Sequence, residues 1–506
     1  MRLSPSLTRW IGALCIGFSA SSQAAAPWVQ AGDLTARHHI EALQSQGCLK
    51  GITLTWPISW AALMKGYRLA LAGQTPDQVS ACKNQHSAYL QQALEQTRQA
   101  SSGAQLTIGG ATQEPLYTSF SSQVEDEATS QIALYSMGEH WAANLAVGYV
   151  DGERDDTHLR FDDTYLAGIV GNWQLGVGAI DRWWGPGWQS SLALSNNARP
   201  VPGLWVSRQV PLAPESPWLS WIGPWDLQVI AGQLENDRVV PEARLLGARF
   251  VFSPMDSLQI GLTRLAQWGG EGRPQDLDAL TNAVIGRDNG QTSGLKKGED
   301  PSNQIAGFDF RLSLTPGDVP TGFYGQFMGE DEAGGLPSKF SSLAGLDMVT
   351  AFGNGSQRFF LEATETVAGS WLSERRLNTA LEHSTYRSGF RHYGRTMTST
   401  WEGDARVATL GLQQFFRNGV TVALNVSRAT LNQSGMIRAV VAEDGAATLQ
   451  SIQEQDISLA EMRLQHPFVG GELDWLFSAS DKALVTTLEK QDKWTVGLKW
   501  TRKFEW

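Results

Sequence analysis

Apolar residues recur at every second position through most of the chain. Trp141, Ala143, Leu145, Val147 and Tyr149 alternate with His140, Ala142, Asn144, Ala146 and Gly148. Leu258, Ile260 and Leu262 alternate with Gln259, Gly261 and Thr263, and the same pattern runs through Phe308 to Leu314 and Val420 to Val426. A period of two is that of an extended strand, whose successive side chains point to opposite faces. A soluble sandwich and a membrane barrel both produce it, so alternation alone leaves the two equal.

Before about Gln105 the pattern is helical. Asp33 caps a helix carrying Leu34, Ile40 and Leu43, and Pro57 and Ser59 introduce another through Ala61, Leu63 and Met64. Thr75-Pro76-Asp77-Gln78 combines an N-cap, a proline at the first helical position and a capping-box glutamine. It predicts a helix to Gln99 with Val79, Tyr89, Leu90 and Leu94 on it. The expected division is a helical bundle over 26–103 and a strand region over 104–506.

The C-terminus separates barrel from sandwich. Trp494, Val496, Leu498, Trp500, Phe504 and Trp506 share one face, and the chain closes on an aromatic residue. This resembles the last strand of bacterial outer-membrane barrels, whose final aromatic is read by the barrel-assembly machinery. Arg502 breaks the outward face, but its long stem can snorkel to the headgroups. In lipid, strands must close on themselves because an unpaired backbone group costs several kcal/mol. About 9–11 residues per spanning strand, with as many again in connections, allow roughly 16 to 20 strands.

The N-terminus sets the compartment. Arg2 and Arg9, the apolar run Trp10 to Ala20 and the small residues Ser22-Gln23-Ala24 form a secretory signal pattern, assigned to 1–25. Leu14 before Cys15 argues against a lipoprotein signal. Cys48 and Cys82 then remain, and an oxidising compartment favours a disulfide over two free thiols. A bridge of that span would contribute about 4 kcal/mol on the chain-entropy model. No later run of 18 apolar residues exists to make a membrane helix. The net charge of −11, with scattered acidic residues, argues against non-specific nucleic-acid binding. Twenty tryptophans suit an interface girdle, a sugar-binding surface or ordinary core.

Three irregular stretches are candidates for outer loops: Gln267 to Asn303, Asp181 to Pro224, and Leu372 to Asp404. Aromatic rings stack on sugar faces, and arginine forks bind carboxylates and hydroxyls. The candidate polysaccharide-binding residues are therefore Asp181, Arg182, Trp183, Trp184, Trp188, Arg199, Arg391, Tyr393 and Arg395. The tryptophans could equally pack an inward-folded loop, and Arg391 and Arg395 could pair with carboxylates inside a lumen.

These segments resemble the Wzi family of outer-membrane capsule-assembly proteins. The likeness lies in DRWWGPGWQSSLALSNNARPVPGLWVSR (181–208), AQWGGEGRPQDLDAL, IGRDNG and PSNQIAGFDF between 266 and 310, and YRSGFRHYGRTMTSTWEGDARVATLG (386–411). Leu49-Lys-Gly-Ile and Thr55-Trp-Pro-Ile-Ser-Trp60 extend it into the helical part. The resemblance implies an 18-stranded barrel, a helical bundle on its periplasmic side, an obstructed lumen and a lectin-like role toward capsular polysaccharide.

Three functions compete at this point. A surface polysaccharide-binding protein of the outer membrane, with no cofactor and no catalytic site, is the leading expectation. A porin-like sugar channel fits the strand count. A hydrolase would need a pair such as His383 with Ser384 or His392 with Ser388, but adjacent strand residues face opposite ways. No metal-ligand spacing is apparent among the histidines and mature cysteines.

Overall fold

In a computed structural model the described residues are 26–99, 101–121, 126–152, 157–276, 278–281, 302–330, 339–369, 374–436, 450–487 and 490–506. The signal segment assigned to 1–25 lies outside them.

The strands close into one antiparallel barrel, sealed where Trp494–Glu505 pairs with Ser102–Ala111, Trp500 lying opposite Ile108. Leu159–Arg160 and Tyr165–Val170 both pair with Trp141–Asp151 and make one interrupted strand, so the barrel has 18 strands. The faces run opposite to those of a sandwich. Trp141, Leu145, Val147 and Tyr149 point outward and are exposed, whereas Ala142, Asn144, Ala146 and Val150 are buried on the inside. Leu410, Leu424, Val426, Val496 and Leu498 are likewise exposed. Buried charged residues such as Arg249, Asp309, Arg311, Asp347, Arg358 and Glu362 fill the interior. A continuous exposed apolar belt around a polar interior is what lipid, not water, stabilises.

Connections sort the two ends. Gly353 and Asn354 link Lys339–Phe352 to Gly355–Glu365, and Gly171 and Asn172 link Tyr165–Val170 to Trp173–Gly178. Residues 179–202 and 366–405, of which 370–373 lie outside the described residues, form long connections at the other end. Short turns are periplasmic and long loops extracellular in such barrels. The irregular region expected as one outer loop from Asp181 to Pro224 is two connections at opposite ends, because Gly203–Arg208 crosses the wall between them and leaves 209–224 at the short-turn end. Gly203 to Ser207 pair on both sides and Arg208 on one, a strand hidden in the sequence by its proline-rich flanks. Strands also claim the ends of the region expected from Gln267 to Asn303: Leu258–Trp268 and Ser302–Leu314 leave 269–301 as the connection, of which 282–301 lies outside the described residues. Leu372, the expected start of the third loop, is also outside them.

The helical part comprises α1 (Leu34–Ser45), α2 (Trp60–Ala72), α3 (Pro76–Ala81) and α4 (Gln85–Gln99). Asp33 caps α1 through the Ala36 N–H at 2.8 Å, and Thr75 and Gln78 form the expected capping box. The single helix expected from Thr75 to Gln99 is broken. Asn84 restarts it, its side chain accepting the His86 N–H at 3.0 Å and the Ser87 N–H at 3.3 Å. Cys48 and Cys82 are bridged, with Cα atoms 5.5 Å apart. Helix α1 is buried along almost its whole length because it lies within the barrel near the short-turn end. His38 meets Ser356, Thr35 meets Thr421, and Glu41 meets Arg311 at 3.1 Å.

Candidate functional site

The extracellular loop 179–202 folds down into the lumen and meets α1. Arg37 donates to the carbonyls of Pro186 at 2.6 Å and Gly187 at 2.8 Å, and its guanidinium lies 4.1 Å from the Trp188 ring and 4.4 Å from Phe120. Trp183–Trp184 pairs with Thr55–Trp56, adding a two-stranded ribbon inside the barrel. The wall holds the loop. Glu362 accepts the backbone N–H groups of Trp188 at 2.7 Å and Ser190 at 2.9 Å, and Gln326 bonds both the Trp184 carbonyl and the Leu192 N–H at 2.8 Å. A Cβ at Gly187 would stand 2.1 Å from the Ser190 carbonyl oxygen, so glycine is needed for this tight turn.

Loop 366–405 folds over the first. Asn197 donates to the Thr396 carbonyl at 3.0 Å and accepts from the hydroxyls of Thr118 and Thr400, both at 2.9 Å. The Ser195 hydroxyl donates to the Thr398 carbonyl at 2.5 Å. Deeper, Arg249 makes a bidentate pair with Asp309, at 2.7 and 2.9 Å. Arg311 and Arg358 share Asp347 and Glu41. Buried charges persist only when paired and hydrogen-bonded, as these are. Two extracellular loops, residues around Phe120 and α1 thus interlock across the lumen.

This geometry sorts the expected binding residues. Trp183, Trp184 and Trp188 are at most 1% exposed and build the plug. The rings of Trp183 and Trp188 face Phe120, Phe360 and Arg37, and the Trp184 indole N–H donates to Gln228 at 3.2 Å, with no open face for a sugar in this arrangement. Arg391 is buried, bonding Glu382 at 2.9 Å and Glu402 at 2.7 Å. Burial pulls its pKa down, but these two carboxylates override that and raise it. Arg395 is buried too, donating to the Pro115 carbonyl and lying 3.9 Å from Glu114. Arg182 donates to the Ile180 carbonyl at 3.0 Å beside Asp181, and burial pushes its pKa down to about 10.

Arg199 and Tyr393 come together, the guanidinium 4.1 Å from the ring centre and clamped by Asp162 at 2.9 and 3.1 Å. Tyr393 projects from a tight hairpin joining Arg391–His392 to Arg395–Thr396, with φ +46° at Tyr393 and +76° at Gly394. Positive φ at both central positions is the primed turn that suits two-residue hairpins.

Tyr393 lines a groove of about 720 Å³ at the extracellular rim. Trp268, Arg244, Asn236, Asp237 and His392 line it as well, and Leu204 and Leu246 on the outer face of the wall close its side. Arg244 lies over Trp268 at 4.9 Å, and Asn236 and Asp237 are exposed. Trp268 is buried beneath Arg244 and backs it, so the half-buried Tyr393 ring, the guanidinium and the exposed amide and carboxylate groups are what can grip hydroxyls and a sugar face. Arg244 and Asn236 were not singled out from sequence, and Trp268 entered only within the segment AQWGGEGRPQDLDAL, since nothing local marks any of the three as a groove residue.

Other expected pairs take structural roles. His392 bonds Glu235 at 2.5 Å, and Ser388 Oγ accepts the Val239 N–H at 3.0 Å. His383 Nδ1 accepts the N–H groups of Thr385 and Tyr386. Three histidines with no motif spacing, His38, His39 and His86, converge in the helical part.

Comparison with known proteins fits this architecture. The model of the family described as capsule assembly protein Wzi matches residues 97–492. An uncharacterised 55.8 kDa protein in the cps region of Klebsiella pneumoniae is 33% identical over 352 residues, covering 69% of this chain and 67% of that protein. The structure of Wzi from Escherichia coli aligns with a TM-score of 0.78 at 24% identity, covering 95% of this chain and all of that one. That protein is described as an outer-membrane protein involved in group 1 capsule assembly and as a carbohydrate-binding β-barrel. The family match spans the barrel up to its closing strand, together with both lumen loops, and on it the chain belongs to the Wzi family of capsule-assembly proteins.

Proposed function

We propose that this chain is an outer-membrane lectin that binds capsular polysaccharide at its extracellular rim and helps to organise the polymer on the cell surface. The observation that carries this reading is the interlocked plug. With loop 179–202 bonded to both α1 and Glu362, the barrel interior is occupied by the chain itself, which leaves the rim as the working surface. That arrangement disfavours the sugar-channel reading.

The proposed contact residues are Tyr393, Arg244, Asn236 and Asp237 of the groove, with Trp268 backing Arg244 and with Arg199 and Asp162 holding Tyr393 in place. Trp183, Trp184, Trp188, Arg391 and Arg395 are buried and serve the scaffold, and Asp181 and Arg182 line a smaller cavity that shares Gly203, Leu204 and Leu245 with the groove. The action is binding without chemistry: His392 is engaged by Glu235 and Ser388 by Val239. An extended polymer meets several shallow sites at once, so weak individual contacts can sum to firm retention. The outer apolar belt contacts membrane lipid, and the strand ending at Trp506 serves recognition by the barrel-assembly machinery.

Cells lacking the protein, complemented with wild type or Tyr393→Ala/Arg244→Ala, test this by the ratio of cell-associated to shed capsule. The expectation is several-fold greater shedding with the variant at equal barrel abundance. Equal shedding by deletion and wild type overturns the proposal.

A further inference from the structure

His38 and His39 are neighbours on α1, and His86 lies on the first turn of α4. All three are buried. Their ring centres are 5.0, 5.4 and 5.0 Å apart, and one nitrogen from each ring lies within 4.8 Å of the others. On a tetrahedral ion with metal–nitrogen bonds of about 2.0–2.1 Å, imidazole centres are separated by roughly 5 Å. The rings are already spaced in that way.

Their hydrogen bonds fit the same role. His39 Nδ1 and His86 Nδ1 are 2.8 Å apart and share a proton. His38 Nε2 is held by Ser356 Oγ at 2.7 Å, which fixes the ring from the barrel wall as an outer-sphere partner does for a metal-bound imidazole. Stacking of His38 on Phe415 at 3.9 Å and of His39 on Tyr89 at 4.3 Å limits ring rotation. Burial, reinforced by the neighbouring histidines and Arg358, keeps the imidazoles neutral and able to donate a lone pair. Arg358 is the opposing feature. Its Nε donates to His38 Nδ1 at 3.4 Å, a long contact, and its charge is offset by Asp347 and Glu41.

We infer that His38, His39 and His86 form a binding site for a first-row divalent metal ion, best matched to Zn²⁺, that ties α1 to α4 beneath the plug. Each ring donates through Nδ1. The proton between His39 and His86 moves to Nε2 of the ring that carried it, so binding releases none. The ion displaces the weak Arg358 contact and takes water as its fourth ligand. It acts beside the Cys48–Cys82 bridge as a second staple, joining the helix inside the barrel to one that caps it.

The test uses the full-length protein purified in detergent, stripped with chelator and titrated with Zn²⁺ or Co²⁺ alone. The site predicts close to one equivalent of Zn²⁺ retained by elemental analysis, and visible d–d bands of tetrahedral nitrogen-ligated Co²⁺. His39→Gln and His86→Gln should each weaken binding at least about tenfold. Heat-dependent gel mobility checks that these variants keep the barrel. Should either fail to fold, Cu²⁺ on the wild type must show nitrogen hyperfine coupling from several imidazoles. A stripped wild type that takes up no stoichiometric Zn²⁺, variants that bind as tightly, or Cu²⁺ without nitrogen coupling overturns the inference, leaving the trio as a hydrogen-bonded core.

Discussion

The carboxylate of Glu362 accepts the backbone N–H of Trp188 at 2.7 Å, anchoring an extracellular loop to the inner wall of the barrel. The same carboxylate takes the Ser190 N–H and the Tyr324 hydroxyl. A buried acceptor serving several donors leaves them all unsatisfied when it is lost, at about 1–3 kcal/mol for each buried group. Glu362→Gln keeps one acceptor oxygen but turns the other into a donor aimed at backbone N–H groups, and should therefore loosen the loop locally. Amide exchange at residues 188–190 is expected to accelerate roughly 10- to 100-fold while the barrel strands stay protected. Unchanged exchange there would show that Gln326 and Arg37 hold the loop without it.

The Cys48–Cys82 bridge closes a loop spanning 34 positions, for which chain entropy gives about 4 kcal/mol. Cys48→Ser should lower the melting temperature of the helical signal in circular dichroism and leave the strand signal in place. Simultaneous loss of both would mean that the helices and barrel unfold as one unit.

Trp218 and Trp221 are 87% and 63% exposed on the connection 209–224, at the short-turn end of the barrel. Trp221 packs on Phe252 of the outer face, which makes the segment continuous with the lipid-facing belt. Aromatic side chains collect at the membrane–water interface. In vesicles with brominated acyl chains, Trp218→Ser/Trp221→Ser should lose a measurable part of the quenching seen in wild type. Identical quenching would place this segment in water.

Glu235 sits between Arg238, at 3.3 Å, and His392, at 2.5 Å. Burial raises its pKa, but Arg238 and the His392 hydrogen bond outweigh this and hold it below the ordinary glutamate value. A depressed carboxylate stabilises the fold above its unfolded pKa and loses that contribution as pH falls through the folded value. Arg238 donates onward to the carbonyls of Arg391 and Gly389, so this hairpin should loosen in acid. Protease cleavage within 386–396 is expected to rise below about pH 4 and to be high at neutral pH in Glu235→Gln. A flat pH profile in wild type contradicts this.

The barrel was legible because the exposed face announces itself: Trp141, Leu145, Val147 and Tyr149 need only a period of two and a closing strand. The caps at Asp33, Ser59 and Thr75 were equally local and are in place. Asn84 broke the expected long helix because a competing cap sits inside a continuous helical pattern. The destination of the tryptophans was not legible, since a ring suits a plug as well as a sugar, and only the register Trp183↔Trp56 places it inside. The rim groove and the histidine trio depend on residues brought together from distant strands and helices, and no spacing rule reports that.

Equilibrium binding of the purified full-length barrel to purified acidic capsular polysaccharide tests the central claim most directly. The account predicts saturable binding that falls several-fold in Tyr393→Ala/Arg244→Ala and persists in Trp184→Phe. Absence of binding by the folded wild type, or robust single-channel currents from it in planar bilayers, would contradict a plugged barrel that holds polymer at its rim.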